Sequence, residues 1–291
     1  MRAAIAKLLI RVMSLLPLGL AQRIGAAIGY TAYLIPNNLH RPLHTNIDLC
    51  FPSMPADQRA RLYRDSFMEL GRAMAETGAL WLWGQDRLLR HVKQVSGEGA
   101  LEQGFAKGKG VILALPHLGA WELMGVYCSR KYPMTSLFRP LRLKELNPFI
   151  KQARERIGAT LVPTNASGIR ALYRALSSNE LVAILPDQEP DSEGSVFAPF
   201  CGVAASTMTL LPKLAQRSGA AIVYGYAERL SGGGYHIHFL AEQTPLPADD
   251  LVQSTTLINQ GVEKCMRQAP AQYQWTYKRF KTRPEGEQRF Y

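Results

Sequence analysis

Hydrophobic positions follow three rhythms along this 291-residue chain. Residues 3 to 36 are mostly apolar, interrupted by Lys7, Arg11 and Arg23. No run there reaches the ~18 to 20 uninterrupted apolar residues of a spanning helix. The pattern predicts a basic amphipathic anchor over residues 1–35, embedded in or lying on a membrane, with arginines reaching lipid phosphates while leucines enter the acyl region. Residues 12 to 21 have the length of a secretory signal's apolar region. The pattern continues through Gly29, Tyr30 and Tyr33, however, as expected of a segment that is retained. Such an anchor should be separable from the rest of the chain with little loss of stability.

From Asp57 to Leu89 the period becomes helical, with Leu62, Phe67, Leu70 and Met74 on one face and Trp81 and Trp83 near its end. The two tryptophans suit either a core or a membrane interface. Beyond them, short β-type runs alternate with helical ones. The runs are "GVILAL" before His117, "MTSLF" at 134–138, "ATLVP" at 159–163, "LVAILP" at 181–186 and "AAIVYGYA" at 220–227; helices are expected near 120–131, 143–156, 167–178 and 206–217. This alternation predicts an α/β domain over residues 36–291, a mostly parallel central sheet flanked by helices. "SGGGYHIHFL" adds a glycine turn and an alternating strand, which predicts an antiparallel edge.

Charge changes the picture next. With 34 basic against 23 acidic side chains the net charge is +11, so the favoured partners are anionic. Nucleic acid is set aside, because aromatic–basic RNA motifs and recognition-helix patterns are missing and the basic residues share their region with the apolar anchor. Cys50, Cys128, Cys201 and Cys265 form no Cys-x-x-Cys pair and read as reduced structural thiols. A serine hydrolase is disfavoured by the lack of a Gly-x-Ser-x-Gly elbow. His236 and His238, two apart on a strand, could face a metal together, but no third ligand of suitable spacing is evident and no metal or cofactor is expected.

The candidate chemistry lies in "LALPHLGAWELMG", residues 113–125. On one continuous helix, His117 and Glu122 would point about 140° apart, at ~100° per residue. Pro116 and Gly119 instead place the histidine in a loop and Glu122 in the first turn of the next helix, from which its carboxylate is expected to reach back to the imidazole. A carboxylate on one ring nitrogen fixes the tautomer and supports the imidazolium formed when the other takes a proton. That is a general base with its orienter. Glu122→Ala should then be nearly as damaging as His117→Ala.

A histidine, four residues and an acid after a buried strand resembles the signature of glycerolipid acyltransferases. Its companions resemble the lipid A late acyltransferases, of the lysophospholipid acyltransferase-like superfamily, more specifically: "LFRP" with "LNPFI" at 137–150, "ILPDQEP" and "VFAPFCGVAASTMTLLPKLAQRSGAAIV" within 184–223, "APAQYQWTYKRFK" at 269–281, and "HRPLHTNIDLCFP" near residue 45. The resemblance covers nearly the whole chain. It implies an enzyme on the cytoplasmic side of the inner membrane that moves a fatty acyl chain from acyl carrier protein to a hydroxyl of a lipid A precursor. His117 would be the base, Glu122 its partner, Arg139 a contact to phosphate or oxyanion, and Asp187 a polar residue lining the cleft. Backbone N–H groups near Gly119 are candidate oxyanion donors. Another lysolipid or glycolipid acceptor, or a non-catalytic lipid-binding membrane protein, remains open. The acidic loop Glu189, Asp191 and Glu193 leaves the acceptor's identity undecided. Residues 139–156 carry Arg139, Arg142, Lys144, Lys151, Arg154 and Arg156 against Glu145 and Glu155, a rim suited to steering the acidic carrier protein. A monomer is expected.

Overall fold

The computed structural model describes residues 2–140, 144–190 and 194–291. Arg142, Asp191 and Glu193 therefore lie outside the described residues. In chain order the elements begin with helices α1 (Arg2–Leu15), α2 (Leu18–Leu34), α3 (His40–Cys50), α4 (Ala56–Leu82) and α5 (Gln85–Leu89), followed by β1 (Val92–Ser96), α6 (Gly99–Phe105), β2 (Val111–Ala114) and α7 (Trp121–Lys131). Next come β3 (Met134–Phe138), α8 (Asn147–Glu155), β4 (Ala159–Pro163), α9 (Ala166–Ser177) and β5 (Leu181–Ile184). The chain continues through β6 (Ser195–Phe200), β7 (Val203–Met208), α10 (Leu210–Ser218), β8 (Ala221–Arg229), β9 (Tyr235–Ala241) and α11 (Leu251–Gln268).

Seven strands form the main sheet in the order β1-β9-β8-β2-β5-β3-β4. All pairings are parallel except that of β8 with β9. The central strands β2 and β5 are buried along their whole length, which is why they read as continuous apolar runs. The glycine turn does make the antiparallel hairpin expected of it, but β9 is not the edge: β1 pairs along its outer side. An antiparallel ribbon, β6–β7, stands apart from the main sheet, its tight turn made by Cys201 (φ 52°) and Gly202 (φ 80°). It occupies the start of the stretch expected to be helical from residue 206; the helix itself begins at Leu210.

At the N-terminus, the expected anchor is two helices, broken by Pro17, and no described helix is long and apolar enough to cross a membrane. Both pack on α4 through glycines. A Cβ on Gly25 or Gly29 would run into the backbone carbonyls of Gly71 or Phe67, and one on Gly78 would meet Ile10 of α1. The buried face of α4 consequently differs from the apolar stripe expected of it. Leu62 and Phe67 are inside, but Met74 is 70% exposed, and Glu69 and Glu76 are buried in its place. Trp83 is core, its indole N–H donating to the Ser14 carbonyl at 2.7 Å, with Arg87 stacked over the ring. The four cysteines are free, three of them buried and Cys201 partly so.

Candidate active site

Adjacent parallel strands deliver the two central side chains. β2 and β5 run in register, Val111 beside Leu181 and Ala114 beside Ile184. Each continues into a Leu-Pro dipeptide, Leu115-Pro116 and Leu185-Pro186, and then into a polar residue, His117 and Asp187. Proline stops the ladder at the same point on both strands, so the two polar residues emerge side by side at the carboxyl end of the sheet, where ligands of such sheets bind.

There the Asp187 carboxylate takes both donors that His117 offers: the ring Nδ1 at 2.7 Å from Oδ1 and the backbone N–H at 2.8 Å from Oδ2. Asp187 is 2% exposed and the His117 side chain 15%. Burial alone would push the Asp187 carboxyl up. The His117 charge, its two hydrogen bonds and the Tyr273 hydroxyl outweigh that and hold it below the usual carboxylate range. An ionised carboxylate only accepts, so Nδ1 carries a proton and, in the neutral ring, Nε2 is the nitrogen with the lone pair. The His117 carbonyl accepts from Gln274 N at 3.0 Å, and the ring leans on Trp121. A partially exposed imidazole is thus fixed in tautomer and orientation by a wholly buried acid.

The pocket beside the pair is lined by the C-terminal segment, including Tyr273, Gln274, Trp275, Tyr277 and Arg279, with Gln188 and Cys50. Arg139 follows β3 and is exposed. Glu189 is turned away from the pair, accepting from the backbone N–H and hydroxyl of Thr282 at 2.9 and 3.0 Å.

Glu122 is not the partner of His117. It does fall in the first turn of α7, but its carboxylate clasps Arg154 of α8, Nη2 at 2.5 Å and Nε at 3.0 Å. A guanidinium offers a bidentate match that the single nitrogen of a loop histidine cannot. This also removes Arg154 from the free cationic rim. Lys151 reaches Glu155 at 3.6 Å, Lys144 is exposed, and Arg156 caps the end of α4 by donating to the carbonyls of Trp81, Leu82 and Trp83.

Gly119 is placed differently from its expected part as an oxyanion donor. Its N–H donates to the Gln272 carbonyl at 3.1 Å and that of Ala120 to Ala227 at 2.8 Å. It adopts φ +59°, and a Cβ there would strike the Ala227 carbonyl. The glycine lets the loop dock edge-on against β8. Its carbonyl accepts from Arg229 Nη2 at 2.9 Å, and Arg229 is in turn bound to Glu76 at 2.7 Å and Glu69 at 3.3 Å. Glu76 also accepts from Tyr235 and Gln22, each at 2.9 Å. This buried network ties α2, α4, β8 and β9 to the histidine loop and is invisible to the sequence motifs. Its one trace is a pair of acids, Glu69 and Glu76, seven apart on the face of a helix that should be apolar.

A buried acid orienting a histidine at the carboxyl end of a parallel sheet is an arrangement able to take a proton from a nucleophile. Sequence comparison identifies the family. The profile of the family described as bacterial lipid A biosynthesis acyltransferase matches residues 3–282. The lipid A biosynthesis lauroyltransferase of Escherichia coli K12 is 31% identical over 275 residues, 93% of this chain and 88% of that protein. The palmitoleoyltransferase of the same organism is 31% identical over 270 residues (92% and 87%), and its myristoyltransferase 25% over 268 (90% and 81%). The chain belongs to the bacterial lipid A biosynthesis acyltransferase family.

Proposed function

We propose that this protein transfers a fatty acyl chain from the thioester of acyl carrier protein to a hydroxyl of a lipid A precursor, with His117 as general base and Asp187 as its orienter. The 2.7 Å contact of Asp187 with Nδ1 carries the reading, since it makes Nε2 the nitrogen that can take a proton. Nε2 takes the acceptor's hydroxyl proton as the oxygen attacks the thioester carbonyl. The tetrahedral intermediate then collapses, the C–S bond breaks, and the imidazolium returns the proton to the departing thiolate. Base catalysis of this kind supplies a factor of about 10² to 10⁴. Arg139, exposed just after β3, is the cation for an acceptor phosphate or for the oxyanion. No covalent enzyme intermediate enters the scheme.

Work on the cytoplasmic face of the inner membrane is supported by an apolar surface on the first two helices: Ile5, Leu8, Leu9, Val12 and Leu15 on α1 with Leu20, Ile28 and Leu34 on α2 are all exposed, flanked by exposed Arg11 and Arg23. Such a surface suits immersion in the headgroup region with no span. The test is to incubate purified protein with labelled acyl carrier protein thioesters and a panel of lipid acceptors and to identify the product by mass spectrometry. Acylated lipid A precursor, formed by the parent and not by His117→Ala, is the expected result. Transfer that survives His117→Ala would overturn the assignment of the base.

A further inference from the structure

The histidine pair on β9 lacks a third ligand only in the linear sequence. In the hairpin, Glu228 of β8 lies directly opposite His236 and diagonally across from His238, so all three side chains stand on one face of the sheet. Glu228 Oε2 is 3.0 Å from His238 Nε2, and the two imidazole rings lie 3.7 Å apart between centroids. One nitrogen or oxygen from each of the three residues falls within 4.8 Å of the others. We propose that Glu228, His236 and His238 bind a divalent transition metal of the zinc class, a site separate from the His117–Asp187 pair.

Two imidazole nitrogens and one carboxylate oxygen are the donor set that selects zinc-like ions over magnesium or calcium, which prefer all-oxygen shells. Three protein ligands leave a coordination position for water, and the site is open to it: the His238 side chain is 20% exposed and that of Glu228 30%. Supports of the kind that hold metal-bound imidazoles are already present. Ser96 of β1 places its hydroxyl 2.8 Å from His236 Nε2, and Tyr226 stacks on His238 at 4.5 Å with planes 8° apart. A metal would also bridge β8 and β9 next to Arg229, the residue that steadies the histidine loop.

The experiment uses the whole chain without a polyhistidine tag, stripped with chelator and titrated with Co²⁺, reading the visible absorption of the bound ion and its displacement by Zn²⁺. One Co²⁺ per chain is expected, displaced by Zn²⁺ and unaffected by Mg²⁺. His236→Ala, His238→Ala and Glu228→Gln should each weaken binding at least about tenfold, while His91→Ala, on a histidine beside Trp83, leaves it unchanged. Thermal melts of the stripped variants guard against misfolding, and His236→Gln with His238→Gln replaces any alanine variant that fails to fold. Absence of a stoichiometric Co²⁺ spectrum in the parent, or equal affinity in the His236/His238 double variant, would overturn the site. Because the readout is the bound metal, neither result depends on the acyl-transfer reading.

Discussion

His117 and Asp187 meet because they hold the same place on neighbouring strands: each stands three residues beyond a register-paired position, Ala114 and Ile184, and the Nδ1–Oδ1 contact is 2.7 Å. The acid is therefore set by the sheet and not by the helix after the histidine. Asp187→Asn should lower kcat by about 10²-fold or more with little change in acceptor KM, and His117→Ala by at least as much, measured as initial rates of acyl transfer. If the double variant is no worse than His117→Ala alone, the two act as one unit.

The same acid gives a signature in stability. Its folded-state pKa is depressed, so its stabilising contribution is present above the unfolded value of about 3.9 and is lost as the pH falls from there toward the folded value. Parent and Asp187→Asn should differ in denaturant midpoint at pH 7, by the ~1.5 to 3 kcal/mol of a hydrogen bond to a charged group, and begin to converge as the pH falls below about 4. A gap that stays constant down to pH 3 would mean that the carboxylate's charge is not what stabilises.

What the sequence discloses here depends on how local the determinant is. β3 and β4 coincide with the runs at 134–138 and 159–163, because each is a short, largely apolar run too brief for a helix. The histidine and its loop are equally visible, from Pro116 and Gly119. β1 is hidden because "VKQVS" is polar, as befits an edge strand, and β6–β7 because "VAAS" has no alternation to show. The partner of His117 lies 70 positions away. Its trace is present in the twin endings "ALPH" and "ILPD", but two strands must be known to be neighbours before a shared offset means anything.

Glu122 and Arg154 form a clasp between α7 and α8, which changes what substitution should do. Glu122→Gln leaves a half-buried guanidinium without its counter-charge and should destabilise by roughly 1 to 3 kcal/mol. Adding Arg154→Met should restore part of that loss, as a double-mutant cycle by thermal or denaturant unfolding would record. Activity that returns with the second substitution would identify the pair as structural. Activity lost irrespective of Arg154 would return Glu122 to the chemistry.

Arg229 offers a way to disturb the histidine loop without touching it. Its guanidinium joins Glu76 and Glu69 to the Gly119 carbonyl, and all these groups are buried. Arg229→Met strands two carboxylates, at a cost of about 3 to 5 kcal/mol. Arg229→Lys keeps the charge but loses the fork that spans Glu76 and Gly119 at once. The lysine variant should therefore fold and lose turnover more than stability, seen as a fall in kcat exceeding the shift in midpoint.

The N-terminal helices combine a face made for the protein with a face made for something apolar, and substitutions can separate the two. On the inner side Leu18, Ala21, Gln22, Gly25 and Ala26 are buried against α4, and Gln22 donates to Glu76 at 2.9 Å. Deleting residues 1–35 strips this cover and one donor from the buried network, so the truncated chain should melt well below the parent or fail to fold, against the expectation of a detachable anchor. Gly25→Val should reproduce much of that damage, because its Cβ has no room beside the Gly71 carbonyl. On the outer side Leu8 and Leu15 are exposed and pack against little. Leu8→Glu with Leu15→Glu should leave the melting temperature nearly unchanged, surface substitutions typically shifting stability by within about 0.5 kcal/mol. The same pair should sharply reduce sedimentation with anionic lipid vesicles, since each substitution removes an apolar side chain from the headgroup region and adds a charge repelled by it. Undiminished vesicle binding by the doubly substituted, folded protein would move the membrane contact away from α1.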